Sequence, residues 1–490
     1  MTSSKSTKRA LITSALAILM CVAMLISTTF AWFTDTASTG VNKIVSGNLK
    51  VDIIGADSDS HIEKLNFTKA ATTDAEAGAE ILWEPGCRYL TEGFRIANKG
   101  NLALKWKAQV NTGTTAANEG NFDLLDVIDF YLVTKAADGT ETETALDEFT
   151  GNLKKTETSD VYYIKGVMQT TAGNDYQGLT LDGISITVVA TQDTVESDSF
   201  NNQYDKDAEY PILVTTGDEL QAVVSSATAP VNIVLTNSIT TNNFVIPADK
   251  DVTLDLNGCT VTNAESHTIL NKGHLTLTDS SADKSGQIIS LKGNTAALRN
   301  GDNAVCVVEG GTISRDGANG NTWHVVENFG KMTFNGGKVV LKNGNGFAIT
   351  NGWNYFDPGA STTHAVMEIN ALKLDTDSSG IKNCRYGDLT VNDVTVTSTG
   401  YWALSNDYLG TAVINGGTLT SKSFKAVSNG AAMTVNGGTF DGTNGLFVQS
   451  YATSTVLNGG TFTNMNVDAL SSYVGAGHTA QQSGTSVIIK

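Results

Sequence analysis

A short cassette recurs near the C-terminal end of the chain and constrains its fold more than any other feature. It reads Asn415-Gly416-Gly417-Thr418, Asn436-Gly437-Gly438-Thr439 and Asn458-Gly459-Gly460-Thr461, at steps of 21 and 22 residues. A fixed period of this length is the sequence signature of a solenoid. An apolar residue precedes each cassette (Ile414, Val435, Leu457), and another follows its Thr (Leu419, Phe440, Phe462). Gly-Gly supplies the backbone freedom, φ > 0 included, that a tight corner needs. The β-prone flanks supply a strand on either side.

The coils can be registered over most of the C-terminal half. Asn335 joins the cassette asparagines in one ladder, with Glu309 and Asn392 in equivalent places. A second ladder contains Asn271, Asn300, Asn328, Asn351, Asn383, Asn406 and Asn429. Its members follow apolar residues (Leu270, Leu298, Val326, Ile349, Ile381, Leu404, Val427) by one or two positions. Stacked asparagines can bond coil to coil through their amides and tolerate left-handed turns. A column three residues before the first ladder reads Cys306, Met332, Ala412, Met433 and Thr455, which predicts an interior position for Cys306. Ahead of the coils, Asp218–Ala227 has acids in its first turn and apolar residues at Leu220, Val223 and Val224. This predicts a short helix closing the open end of the core. The spacing, the double ladder and this cap resemble a right-handed parallel β-helix of the pectin-lyase type, over roughly residues 230–485. The resemblance is to an architecture and imports no activity.

Composition fixes the class of the whole chain. Gly is abundant at 48 and Pro scarce at 5, while helix-period patterns are few, so the chain is all-β. The formal charge is −18, and loss of a leader carrying Lys5, Lys8 and Arg9 takes it to −21. Such a surface repels nucleic acid and anionic lipid, so neither is an expected partner. Cys21 lies in the leader, and Cys87, Cys259, Cys306 and Cys384 show neither a CxxC pair nor metal-ligand spacing. They read as small buried apolar residues.

Residues 1–31 read as a signal peptide: a basic start, an apolar run from Ala10 to Ile26, then Thr29 and Ala31 ahead of a cleavage site. The expected cut falls between Ala31 and Trp32; an uncleaved membrane anchor is the alternative. The stretch Thr29-Phe30-Ala31-Trp32-Phe33-Thr34-Asp35, followed by Gly47-Asn48-Leu49-Lys50-Val51, resembles the start of the TasA/camelysin family. The resemblance continues at Trp83-Glu84-Pro85-Gly86, through Phe94–Leu104, and ends near Ile184–Gln192. It implies a secreted matrix or surface protein of a Gram-positive-type bacterium, exported through a SipW-type signal peptidase. Members of this family have been filed among metallopeptidases. The six histidines (His61, His267, His274, His324, His364, His478) form no HExxH and give that activity little support.

The fold expected is therefore all-β: a jelly-roll or β-sandwich over 32–195, an acidic linker over 196–210, and a parallel β-helix with a short capping helix over 211–490. In the sandwich, Lys50–Ile53 and Gly93–Asn98 alternate like half-buried strands, Asn98-Lys99-Gly100-Asn101 is a turn, and Leu102–Val110 is the return strand. Ile184, Thr187 and Val189 lie in the last strand. Asp123, Asp126 and Asp129 read as a strand entry with solvated acids, a cation site being the alternative. After cleavage, the arm Trp32-Phe33-Thr34 could add to a neighbour's sheet edge and polymerise subunits, or pack on its own domain.

No catalytic residues and no cofactor are assigned. In the linker, Asp205, Asp207 and Glu209 alternate and are weak calcium candidates, but no loop-forming glycine accompanies them. Asp375 and Asp377, with Asp388 and Asp393 one coil later, could supply a glycosidase pair but read as turn and edge acids. The better site is a sugar-binding surface. One part is the insertion at 352–366, with Trp353, Tyr355, Phe356, Asp357 and His364. The other is the column His324, Phe347, Ser379, Trp402 and Lys425, each four residues before a second-ladder Asn. Packing of a loop over a coil is the plainer account of both. These features favour a secreted, non-enzymatic surface or biofilm-matrix protein, structural or adhesive, whose partners are copies of itself, other matrix proteins or polysaccharide. A polysaccharide lyase or glycoside hydrolase is the alternative, and a camelysin-like metallopeptidase the weaker one.

Overall fold

The computed structural model describes residues 49–62, 65–69, 83–116, 118–146, 149–193, 210–320, 322–353 and 363–490. The cleavage pair Ala31 and Trp32, the arm after it, the acids Asp205, Asp207 and Glu209, and the insertion residues Tyr355, Phe356 and Asp357 lie outside them.

Strands between Val51 and Gln192 form two antiparallel sheets. The 7-stranded sheet centres on Tyr162–Met168, which pairs with Arg88–Thr91, Phe94–Asn98 and Ile128–Lys135. The 3-stranded sheet sets Leu104–Thr115 between Leu181–Gln192 and Phe149–Leu153. Alternation buries one face of each, so Phe94, Ile96, Leu104, Trp106, Leu132, Leu153 and Ile164 make one core. Trp106 lies flat on Gly151, where an added Cβ would come 2.7 Å from the indole.

The segment after Asn98 corrects the sequence reading. Leu104–Thr115 does not return along Phe94–Asn98 as a hairpin; it crosses into the other sheet. Asn98 explains the crossing. Its buried amide donates to Leu102 O at 2.7 Å and Lys154 O at 3.1 Å, and its Oδ1 accepts from Gly100 N at 2.9 Å. The side chain therefore replaces the ladder bonds that a hairpin would have supplied. The acidic segment holds a 3-10 turn, Leu124–Asp126, before its strand. Asp123 caps that turn, accepting from Thr115 Oγ1 at 2.6 Å and Leu125 N at 3.0 Å, and these bonds hold its pKa below the usual carboxylate value.

From Ile212 to Ile489 the chain winds into a parallel β-helix of about 10 turns. Each turn contributes one short strand to each of three sheets, of 11, 12 and 9 strands, which begin at Ile212–Val214, Ile239–Thr240 and Val245–Ile246. The register keeps each core position over its equivalent in the next coil. One column in the first sheet runs Leu275, Cys306, Met332, Met367, Leu389, Ala412, Met433 and Thr455. Cys306 is buried there, and burial pushes its thiol up to about 12, so it packs as an apolar residue. In the second sheet, Val396, Leu419, Phe440 and Phe462 stack, the last two with ring centroids 4.7 Å apart.

Each end of the β-helix carries a capping element. The helix Gly217–Ser226 starts at the N-cap Thr216, whose side chain accepts from Glu219 N, and buries Leu220 and Val224 in the core. Its Gln221 amide pairs with the third sheet's first strand, donating to Val245 O at 3.1 Å and accepting from Val245 N at 2.9 Å. At the other end, the last strand, Ser486–Ile489, runs antiparallel to Gly460–Phe462 and hairpins with Ala480–Ser483.

Candidate functional site

The two ladders set the geometry of every surface on the β-helix. In the first, each amide donates to the preceding coil: Asn458 to Asn436 at 2.9 Å, Asn436 to Asn415 at 2.8 Å and Asn415 to Asn392 at 2.7 Å. Asn392 continues to Asn370, Asn370 to Asn335, and Asn335 ends the row on Glu309 Oε1 at 2.8 Å. Asn370 is a member that sequence reasoning missed, because Ala371-Leu372 stands where Gly-Gly marks other coils. The second glycines need their freedom: Gly417, Gly438 and Gly460 have φ of 95°, 106° and 110°. The first glycine avoids a clash, since a Cβ on Gly459 would lie 2.2 Å from Asn436 O.

The second ladder is buried and donates the other way. Asn271, Asn300, Asn328, Asn351, Asn383 and Asn406 each pass a hydrogen bond of 2.7–2.9 Å to the next member, ending at Asn429. Asn429 donates to Thr455 Oγ1 at 2.8 Å. Each amide also reaches a backbone carbonyl at the start of the first sheet one coil on; for Asn383 this is Thr411 O, at 3.0 Å. Ile269, not Leu270, is the inward residue paired with Leu298 at the first rung.

The two proposed sugar surfaces come out differently. Trp353 is 8% exposed, packs on Phe329 at 4.5 Å and bridges to Arg385, so its ring is part of the wall and not a free platform. His364 is exposed and paired with Asp388, Nδ1 to Oδ2 at 2.8 Å, with Tyr386 5.6 Å away. His324, in the second column, is tied to the chain: its Nδ1 donates to Phe347 O at 2.9 Å. The lower part of that column meets an aromatic group. Trp402 stands edge-on to Phe424 at 4.6 Å and stacks on Phe447 at 6.2 Å. Lys425 Nζ lies 3.4 Å from the Phe447 centroid and 5.7 Å from Trp402, a cation held by ring faces. Tyr401, 58% exposed, lies edge-on to Phe424 and extends the group to solvent. Tyr401, Phe424 and Phe447 escaped sequence reasoning because they sit at different offsets from the ladder.

A second group, also missed, sits further up. Glu327 is buried and accepts from Arg299 and Trp323 Nε1, both at 2.8 Å. Arg299 also covers the Phe329 ring at 4.5 Å. Buried Arg315 donates to carbonyls of Lys292, Thr295 and His324 and to Ser290 Oγ, and so ties two loops to its own strand. Desolvation lowers the pKa values of His267 and His324 beside it. This group reads as a wall-bracing network.

The acids weighed as a hydrolytic pair have other work. Asp375 pairs with Lys338 at 2.9 Å, Asp377 accepts from the backbone of Asn343 and Gly344, and Asp388 holds His364. Among the described residues, no three His, Cys, Asp or Glu side chains are grouped to hold a metal ion.

The architecture defines the class: a β-sandwich followed by a parallel β-helix. No protein-family model matches the chain, and no curated protein is significantly similar to it.

Proposed function

We propose that this chain is a secreted surface or extracellular-matrix protein, structural or adhesive, whose β-helix presents a carbohydrate-binding face. The observation that carries this reading is the group Tyr401, Trp402, Phe424, Lys425 and Phe447, which places aromatic faces and an ammonium at a rigid solenoid surface. Aromatic faces suit the apolar faces of sugar rings, and the cation suits their hydroxyl oxygens. The acidic charge of −18 and the export-type leader support an extracellular setting. On this reading a SipW-type peptidase processes the chain, and other matrix proteins or further copies are its protein partners.

Affinity electrophoresis in gels cast with soluble polysaccharides tests the reading. Wild type is retarded, and Tyr401→Ala with Trp402→Ala loses most of the retardation at unchanged thermal stability; equal mobility of both in every gel would remove the proposal. Incubation with the same glycans, with and without calcium, releases no reducing ends or unsaturated products if the role is binding alone.

A further inference from the structure

A second surface lies on the opposite border of the third sheet, in the turns that follow the buried ladder. After Asn383 and Asn406 the chain makes four-residue turns, closed by Gly387 N to Cys384 O at 3.0 Å and Gly410 N to Asp407 O at 2.9 Å. The third residue of each turn has a left-handed backbone: Tyr386 at φ 58° and Leu409 at φ 61°. The equivalent position after Asn300 is Asn303, at φ 62°, a residue suited to that conformation. Tyrosine and leucine are not, so two coils hold a strained backbone where asparagine or glycine would relieve it.

What the strain displays is a stripe. Leu409 is 38% exposed, its neighbour Tyr408 45% and Tyr451 55%. Tyr451 fills the same third position in the turn closed by Ala452 N to Gln449 O at 3.1 Å. The coil between has a shorter turn, and Gly430 leaves a notch there; a Cβ on it would come within 2.7 Å of the Tyr451 ring. Tyr386, Leu409 and Tyr451 thus share one line parallel to the helix axis. At about 4.8 Å per coil, the line spans about 14 Å.

We propose that this stripe binds an uncharged, extended polysaccharide lying along the helix axis; the inference rests on the carbohydrate-binding reading above and adds the glycan class and its direction. Tyr386, Tyr408 and Tyr451 place rings, and Leu409 an apolar side chain, on three of four successive coils, where a polymer of flat rings can lie across them. The charges beside it balance: Lys382 pairs with Asp407 at 3.2 Å, His364 with Asp388, and Arg385 stacks over Tyr386 at 4.7 Å. The single guanidinium of Arg385 is a small draw for a polyanion, which the chain's net −18 repels. Ring faces flanked by amide and carboxylate groups suit a hydroxyl-rich chain.

The strained turns supply the test. The double variant Tyr386→Asn, Leu409→Asn relieves both left-handed residues, so its melting temperature equals or exceeds wild type. Its retardation in hydroxyethyl cellulose or xyloglucan gels falls about 10-fold or more, because the Tyr386 ring and the apolar Leu409 contact are gone. Polygalacturonate gels retard neither protein, and affinity for xyloglucan oligosaccharides climbs with length only until the ligand spans about 14 Å. A double variant retarded like wild type overturns the inference, as does stronger retardation of wild type by polygalacturonate than by the uncharged glycans. If the double variant differs from wild type only in its sedimentation, the stripe joins copies of the chain and the inference falls. Loss of retardation in Tyr401→Ala, Trp402→Ala but not in the double variant removes this inference alone. A wild type that no gel retards removes the carbohydrate-binding reading with it.

Discussion

The two asparagine ladders use one side chain in one repeating frame, yet they do different work. The buried ladder hides its amides, and each ties the third sheet to the first sheet of the next coil through a backbone carbonyl. The surface ladder runs from Asn458 to Glu309, donates the opposite way and bonds amide to amide at the solvent boundary. Burial decides their worth. A buried carbonyl that loses its donor has no water to replace it, whereas an exposed amide does. The conspicuous ladder, marked by Gly-Gly, is thus the less important for stability.

The largest effect expected is at the buried ladder. Asn383→Ala removes the side-chain donor to Gly387 O, Thr411 O and Asn406 Oδ1 and breaks the row at Asn351, and urea unfolding should show a loss of about 3 kcal/mol or more. Next comes the corner under the surface ladder. Gly459→Ala drives a Cβ into Asn436 O and should cost about 2 kcal/mol in the same assay. A smaller, pH-dependent effect belongs to the wall behind the ladders. His267 and His324 have folded-state pKa values lowered mainly by desolvation, so the unfolded chain binds protons more readily. Their contribution is complete above the ordinary imidazole value of 6.5 and is lost as pH falls below it towards the lowered folded values. The melting temperature should therefore drop between pH 7 and 5, and less steeply in His324→Gln. The smallest effect is at the surface ladder itself: Asn415→Ala should cost about 0.5 kcal/mol. A cost matching Asn383→Ala would erase the distinction between the ladders.

Much of the β-helix was legible because its repeat is enforced at every coil. The cassette spacing gave the period, and the run of Asn300, Asn328, Asn351, Asn383, Asn406 and Asn429 gave the register. Asn370 was hidden because Ala371-Leu372 turns the corner without glycine, so local chemistry differed where geometry did not. In the sandwich, Asn98-Lys99-Gly100-Asn101 has the composition of a hairpin, but only the buried partners of Asn98 show that it crosses between sheets. The candidate surfaces were the least legible. Exposure of Trp353 depended on Phe329, a coil away, and the tyrosine stripe depends on turns of unequal length that break any fixed spacing.

The capping elements of the β-helix have a consequence for size. A parallel coil could template another coil indefinitely, since each open edge repeats the pairing of the last. Here the Gln221 amide occupies the backbone of Val245 at one end, and Ser486–Ile489 reverses strand direction against Gly460–Phe462 at the other. The capping helix and the reversed hairpin thus set where parallel coiling stops in the third and second sheets, and with it the number of coils.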